Sequence, residues 1–378
     1  MIEHIKTAVA VILNKGLKVL SIGKYHTDRV VFFSYFGKQY SCNPKYISEY
    51  LEKNQLVSEI VWAFEKPEDF TYLTTRGIKT ISYGTLGFIR TCLMSKYIIT
   101  NSEIPLWLPI MKRQVYINTW HGGGAYKRVG GAYEKENAGK QKRSAIARKN
   151  PCTYVSSSEI FSEMTIRKSF EHTGKIIKSG MPRNDLLINR NREELHKAIR
   201  KMYHIPQNHK ILLYAPTYRE TKCASEYDMD CRALKKTLTE KFGGEWTILY
   251  RMHYFIMDQL PKSEEYVDVS MHPDMQELLY VADLLITDYS SSMWDFSLTG
   301  KPCLLYATDL DQYDLERGFY TNIHTWPFPL SESETELYRT ILDFNQEEYQ
   351  KAVKQYLKDS GSYEKGTATE QVVQFMEL

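Results

Sequence analysis

Two histidines and a cluster of hydroxyls stand where this chain turns from apolar to polar. The first histidine is in Trp120-His121-Gly122-Gly123-Gly124, directly after the strand-like run at residues 114–119. Consecutive glycines let a backbone approach a ligand closely and leave its N–H groups open to an anion. An imidazole at a strand end suits a general base, so His121 is the expected proton acceptor, with Gly122 and Gly123 against phosphate. A structural turn with a hydrogen-bonded histidine is the plainer alternative, although glycine triplets after a strand seldom serve packing. The second histidine closes Arg251-Met252-His253, at the end of another apolar run. Residues two apart on a strand share a face. Arg251 and His253 can then meet one diphosphate, the first by its fork and the second by a single charged bond. A histidine satisfied within the core is the alternative there.

The hydroxyls lie in Thr287-Asp288-Tyr289-Ser290-Ser291, between an apolar run and an amphipathic stretch at 293–298. Ser and Asp at a helix start meet N–H groups that have no intrahelical partner, and the dipole there favours an anion. Thr287, Asp288, Ser290 and Ser291 are therefore expected around a phosphate; an ordinary N-cap is the other reading. Thr217 and Arg219, in Tyr214-Ala-Pro-Thr217-Tyr-Arg219, and Arg317, in Arg317-Gly-Phe-Tyr320, are weaker members of the same donor set. Arg183 and Asn184, in Gly180-Met-Pro-Arg183-Asn184-Asp185, are assigned with Lys127 to the acceptor side. The other histidines, His272 among them, have no such context and read as structural or surface. Asp228-Met-Asp230 resembles a metal-binding pair but sits in a polar stretch rather than at a strand end. No metal site or cofactor is assigned, and a divalent-metal requirement stays open.

Something must carry these motifs to one end of a scaffold. Strands are expected at 30–34, 58–63, 79–82, 97–100, 114–119, 153–156 and 176–179, with helices at 44–53 and 83–94. The pattern restarts after 185–195, with strands at 210–214, 247–251, 266–269, 284–287 and 303–306 and helices at 192–203, 274–280, 291–298 and 334–344. Such alternation predicts α/β architecture with parallel sheets wrapped by helices. The expected division is two Rossmann-like domains, 1–188 and 189–378, facing a central cleft, with the C-terminal helices packing back on the first domain.

Composition is compatible with this. A chain of 378 residues is too long for one small core. Its 43% apolar and 25% charged content is that of a folded soluble protein, and a net charge of +3 argues against nucleic acid. The 28 tyrosines suit half-buried sheet surfaces more than stacking on a ligand. Residues 140–149 are rich in Lys and Arg and hold no acid. They suit anionic lipid, a phosphate-rich acceptor, or simply a solvated helix face. The six cysteines form no CxxC pair, so reduced thiols in a cytosolic protein are expected. The apolar stretch at 5–20 is too short and too interrupted by Lys15, Gly16 and Lys18 to span a bilayer. It can lie flat on one or dock as a core helix.

Taken together, these strings resemble the CDP-glycerol glycerophosphotransferase family of teichoic acid and capsule synthesis, over nearly the whole chain. The resemblance rests on Phe33-Ser-Tyr-Phe-Gly-Lys-Gln-Tyr with Asn43-Pro44, on Asn118-Thr-Trp-His-Gly, and on residues 180–186, 213–219, 251–253, 286–291 and 317–320, in the family's order. It implies a GT-B architecture. It also implies transfer of glycerol phosphate from CDP-glycerol to a hydroxyl of a lipid-linked or polymeric acceptor, with release of CMP, at the cytoplasmic face of the membrane. His121 then acts on the acceptor hydroxyl, His253 partners the donor phosphates, and Thr287, Ser290 and Ser291 form the phosphate-contacting turn. Common members carry Thr-Pro where this chain has Gly123-Gly124, a departure that bears on acceptor choice. A CDP-ribitol or nucleotide-sugar transferase of the same architecture is the nearest alternative, since fold does not determine substrate. A non-catalytic membrane-bound assembly scaffold is an alternative of another class, and His121 and His253 argue against it.

Overall fold

The computed structural model describes residues 2–124, 126–130, 146, 151–217, 229–252 and 263–377, with only the backbone of 2–5. The chain forms two compact units, Met1–Asp185 with Ser362–Leu378, and Leu186–Gly361. It therefore leaves the first unit at Asp185 and returns to it at Ser362. The Asp185 carboxylate accepts the N–H groups of Ala368 (2.9 Å) and Thr369 (2.8 Å), capping the returning helix Ala368–Phe375. The Tyr97 hydroxyl donates to the Met376 carbonyl at 2.6 Å.

The first unit holds β1 (His26–Phe33), β2 (Glu59–Phe64), β3 (Lys79–Ser82), β4 (Ser95–Thr100), β5 (Val115–Asn118), β6 (Thr153–Ser156) and β7 (Ile176–Lys178). They form one sheet in the order β3-β2-β1-β4-β5-β6-β7, each neighbouring pair parallel. Both faces are covered, so central strands are apolar without alternation: Val30, Val31, Phe32 and Phe33 are all buried. Alternate side chains enter opposite cores. Phe32 stacks on Trp62 in the core shared with the helix Cys42–Lys53, whereas Val31 and Phe33 meet Phe88 and Leu93 of the helix Leu86–Leu93. β1 begins ahead of its apolar run, at residues whose polar side chains hide it in the sequence; among them Arg29 pairs with Glu59.

The second unit repeats this winding with β8 (Lys210–Ala215), β9 (Trp246–Tyr250), β10 (Val267–Asp268), β11 (Leu284–Thr287), β12 (Cys303–Tyr306) and β13 (Leu330–Ser331). Their order is β10-β9-β8-β11-β12-β13, again parallel throughout. β13 is only two residues long and leaves no readable run in the sequence. In each sheet the chain first winds outward on one side and then crosses to the other. The carboxyl ends of β1 and β4, and of β8 and β11, therefore border a switch point, where open α/β sheets take ligands.

The N-terminal helix Ile2–Leu17 leaves Val9, Ile12 and Leu13 exposed. No described helix is long and apolar enough to cross a membrane. Of the basic stretch at 140–149, only Ile146 falls within the described residues.

Candidate active site

In the first unit the site starts with a strained turn. Leaving β5, the chain puts Trp120 at φ 52°, a left-handed conformation rare for so bulky a residue. Two asparagines hold it there. The Trp120 N–H donates to Asn118 Oδ1 (2.9 Å), and its carbonyl accepts from Asn43 Nδ2 (3.1 Å). Asn118 is anchored in turn by donating to the Ser102 carbonyl (3.2 Å), and Asn43 Oδ1 accepts the Arg183 N–H (3.1 Å). Tyr35, Phe36 and Cys42, in the loop after β1, also have φ between 48° and 61°. Such residues cost of order 1–3 kcal/mol each and persist where surrounding bonds over-determine them.

This turn delivers His121 to the switch point. Its ring stacks on Trp120 (centroids 4.4 Å apart), with Tyr35 5.7 Å away. Nδ1 lies 2.9 Å from the Asn101 carbonyl oxygen, just beyond β4. A carbonyl can only accept, so the proton sits on Nδ1 and Nε2 keeps its lone pair. Among the described residues Nε2 has no hydrogen-bond partner. Burial lowers the imidazole pKa to about 4; the bond to Asn101 opposes this, and the positive charges of Arg183 and Lys127 reinforce it. At neutral pH the group is an uncharged imidazole in the tautomer a general base needs. Asn101 also accepts the Tyr35 N–H on Oδ1 (2.8 Å), tying the ends of β1 and β4 together. Its Nδ2 is buried without a hydrogen-bond partner, which marks it for attention at a ligand crevice.

The neighbouring expectations separate. Gly122 is half-exposed beside His121. Gly123 is buried, its carbonyl accepts from the Ser157 hydroxyl, and an added Cβ would lie 3.3 Å from Ser157 Cβ. Its missing side chain therefore serves packing under the end of β6. Arg183 is buried, with Nη1 3.1 Å from Cys42 Sγ. Asn184 donates to Glu364 Oε1 (2.9 Å), which also accepts the Met181 N–H (3.1 Å). That bond ties the turn carrying Arg183 to the returning tail. Gly180, at φ 89°, has no room for a Cβ, which would fall 2.7 Å from Glu364 Oε2. Lys127 is half-buried, with Nζ over the Tyr126 ring.

In the second unit the switch point is organised by a carboxylate. Asp288 accepts the Thr217 N–H (2.9 Å), the Thr217 hydroxyl (3.0 Å) and the Tyr289 N–H (2.5 Å). The Thr287 hydroxyl donates to the Ala215 carbonyl at 2.6 Å. Thr217, Thr287 and Asp288 are thus brought together, and the buried pair Thr287 and Asp288 stitch β8 to β11. The half-exposed hydroxyls are Ser290 and Ser291. Ser290 Oγ accepts from the Ser292 hydroxyl (2.9 Å), and Ser291, capping the short helix Ser292–Ser297, makes no side-chain cap bond. Tyr289 stacks on Tyr313 and contacts Phe319, which brings half-buried Arg317 into the same neighbourhood. Arg251 follows β9 and donates from Nη1 to the His272 carbonyl (2.7 Å). His253, Arg219 and Asp228 lie outside the described residues.

Sequence reasoning gave no role to Tyr35, Asn43, Asn101 or Asn118. Tyr35, Asn43 and Asn118 stood in the strings that carried the resemblance, Asn118 within the strand-like run just before His121; Asn101 is a single polar residue just past an apolar run, with no spacing rule linking it to His121.

The profile of the family described as CDP-Glycerol:Poly(glycerophosphate) glycerophosphotransferase matches residues 17–378. A teichoic acid poly(glycerol phosphate) polymerase of Bacillus subtilis (strain 168) is 33% identical over 332 residues, 85% of this chain but 44% of that protein. One of the same description from Bacillus spizizenii is 31% identical over 360 residues, 91% of each. The chain thus spans under half of the first relative and nearly all of the second. Relatives described by ribitol phosphate are less similar. A solved structure of the wall teichoic acid polymerase TagF, from a 15-minute soak with CDPG, has a TM-score of 0.81 and 26% identity, covering 99% of this chain and 96% of that one.

Proposed function

The chain belongs to the CDP-glycerol:poly(glycerophosphate) glycerophosphotransferase family, and on that premise we propose that it moves glycerol phosphate from CDP-glycerol to a hydroxyl of a teichoic acid acceptor. The observation that carries this reading is the state of His121: uncharged, its Nδ1 proton held by the Asn101 carbonyl, its Nε2 lone pair without a partner among the described residues. Displacement at phosphorus needs an aligned hydroxyl, a proton acceptor and positive potential around the spectator oxygens. In this account His121 Nε2 takes the proton as the acceptor oxygen bonds to the glycerol-bearing phosphorus. The pyrophosphate P–O bond breaks and CMP leaves. The second unit supplies the donor contacts: the Ser290 and Ser291 hydroxyls beside the Asp288 clamp, with Thr217, Arg219, Arg251, His253 and Arg317.

Val9, Ile12, Leu13, Val19 and Ile22 are exposed at the N-terminus, interleaved with Lys15 and Lys18. An apolar face flanked by cations suits the surface of an anionic membrane on its cytoplasmic side, where a lipid-linked polymer would be extended.

The test is CMP release by purified protein, with a short glycerol-phosphate polymer as acceptor and CDP-glycerol or CDP-ribitol as donor. Release with CDP-glycerol and chain extension are expected. Turnover with CDP-ribitol alone would overturn the donor assignment, and no release with either would leave the scaffold reading. Co-sedimentation with anionic vesicles, reduced when Ile12 and Leu13 become serine, checks the membrane component.

A further inference from the structure

We infer that His272 is a positioning residue for the donor, acting through Arg251, an inference that rests on reading the second unit as the donor-binding one. The Arg251 N–H donates to the Tyr214 carbonyl (2.9 Å), the last rung between β8 and β9. Beyond it the chain is held by the turn that follows β10. The Met252 N–H donates to Ser270 Oγ (2.9 Å), and Arg251 Nη1 donates to the carbonyls of His272 (2.7 Å) and Val269 (3.5 Å). The guanidinium is planar and rigid, so fixing one Nη fixes the direction of the whole fork. The next residue in sequence is His253.

What holds that turn is a chain of polar groups centred on a buried imidazole. His272 is buried, with Nε2 3.0 Å from Glu277 Oε2 and Nδ1 3.0 Å from the Tyr203 hydroxyl. A carboxylate accepts, so Nε2 carries the proton and Nδ1 accepts from Tyr203. The imidazole thereby joins three elements: the end of the helix Glu193–Met202, the turn after β10, and the first turn of the helix Met275–Val281. Such networks hold one geometry when every member is satisfied and release it when one is removed. Their position at the carboxyl ends of β9 and β10 puts this rigidity under Arg251, at the same sheet edge as the Asp288 turn.

The test measures CMP release against CDP-glycerol concentration for the full chain and for His272→Gln, Tyr203→Phe, Arg251→Ala and the double variant His272→Gln/Arg251→Ala. His272→Gln is expected to raise the donor KM about tenfold, the scale of one positioning hydrogen bond, with kcat within about twofold. The double variant should be no worse than Arg251→Ala alone, because both changes remove one contact. If Arg251→Ala raises KM and His272→Gln does not, the inference falls and the donor-site reading stands. If Arg251→Ala leaves KM unchanged, the donor-site reading fails and takes the inference with it. Equal losses in kcat and in folded fraction would show a structural histidine only and also overturn it. Should His272→Gln not fold, Tyr203→Phe decides: it removes a single half-exposed hydroxyl, and an unchanged donor KM would overturn the inference.

Discussion

On the proposed function, the two switch points would meet different needs with the same sheet topology. At the first, between β1 and β4, backbone strain is concentrated: Tyr35, Phe36, Cys42 and Trp120 all occupy left-handed conformations, and asparagine side chains hold the Trp120 turn. The result is one imidazole with one available nitrogen. At the second, between β8 and β11, no described non-glycine residue in the strand-end loops has positive φ. A carboxylate gathers the donors of Thr217 and Tyr289 instead, and hydroxyls are left half-exposed. A proton acceptor must sit within a few tenths of an ångström of its target, and strain locked by hydrogen bonds gives that accuracy. An anion with many oxygens can be met by several ordinary turn donors, none of which need be strained.

The comparison breaks most visibly at its two anchors. His121→Ala should lower turnover on the order of 10²–10⁴-fold while calorimetry shows nearly unchanged CDP-glycerol affinity. A matched loss of affinity would make the first switch point a binding site like the second. Asp288→Ala leaves the Thr217 and Tyr289 donors without their acceptor and should weaken donor affinity roughly tenfold or more, with a stability loss of about 2–3 kcal/mol in urea unfolding. If kcat falls and donor affinity does not, the division of labour is wrong.

Asn118→Ala probes the strained turn itself. It frees the Trp120 N–H and should lower kcat roughly tenfold with donor KM unchanged, the effect of a loosened base. The smallest expected effect is in pH dependence. The folded-state pKa of His121 is about 4, below the ordinary 6.5. Between those values the unfolded chain binds more protons than the folded one, so this group's contribution to stability declines as pH drops through that window and is recovered as it rises. The acid limb of kcat/KM should likewise lie well below the ordinary imidazole range, since that parameter reports the free enzyme. Replacing Arg183 by Met removes a nearby cation and should move that limb upward; an unmoved limb would mean that burial alone sets the pKa.

Much of the scaffold was legible because it is written locally. Parallel strands buried on both faces read as unbroken apolar runs, as at residues 30–33 and 284–287, and a helix start can carry its own cap, as at Ser333, whereas the start capped by Thr85 was expected at 83. Where polar residues interrupt, as at Thr27, Asp28 and Arg29 in β1, or where a strand shrinks to two residues, as in β13, the signal fails. The expected helix at 291–298 survives as the six-residue Ser292–Ser297. Its hydroxyls were legible at Ser290 and Ser291, but nothing local told that Thr287 and Asp288 turn inward to stitch β8 to β11.

By itself the sequence determined that a histidine, glycines and hydroxyls would stand at the carboxyl ends of parallel strands, because strand period and burial are properties of short segments. Tertiary structure alone decided what those groups became. His121 owes its tautomer to Asn101, its turn to Asn43 and part of its lowered pKa to Arg183. His272, which looked structural, owes its setting to Tyr203 and Glu277. Apart from Glu277, five residues from His272, these partners are distant in the chain; Asn101 meets His121 because β4 lies beside β5, and Tyr203 meets His272 across 69 residues. Proton location and pKa depend on hydrogen bonds and charges within a few ångströms, and strand order, which no local pattern encodes, chooses those neighbours.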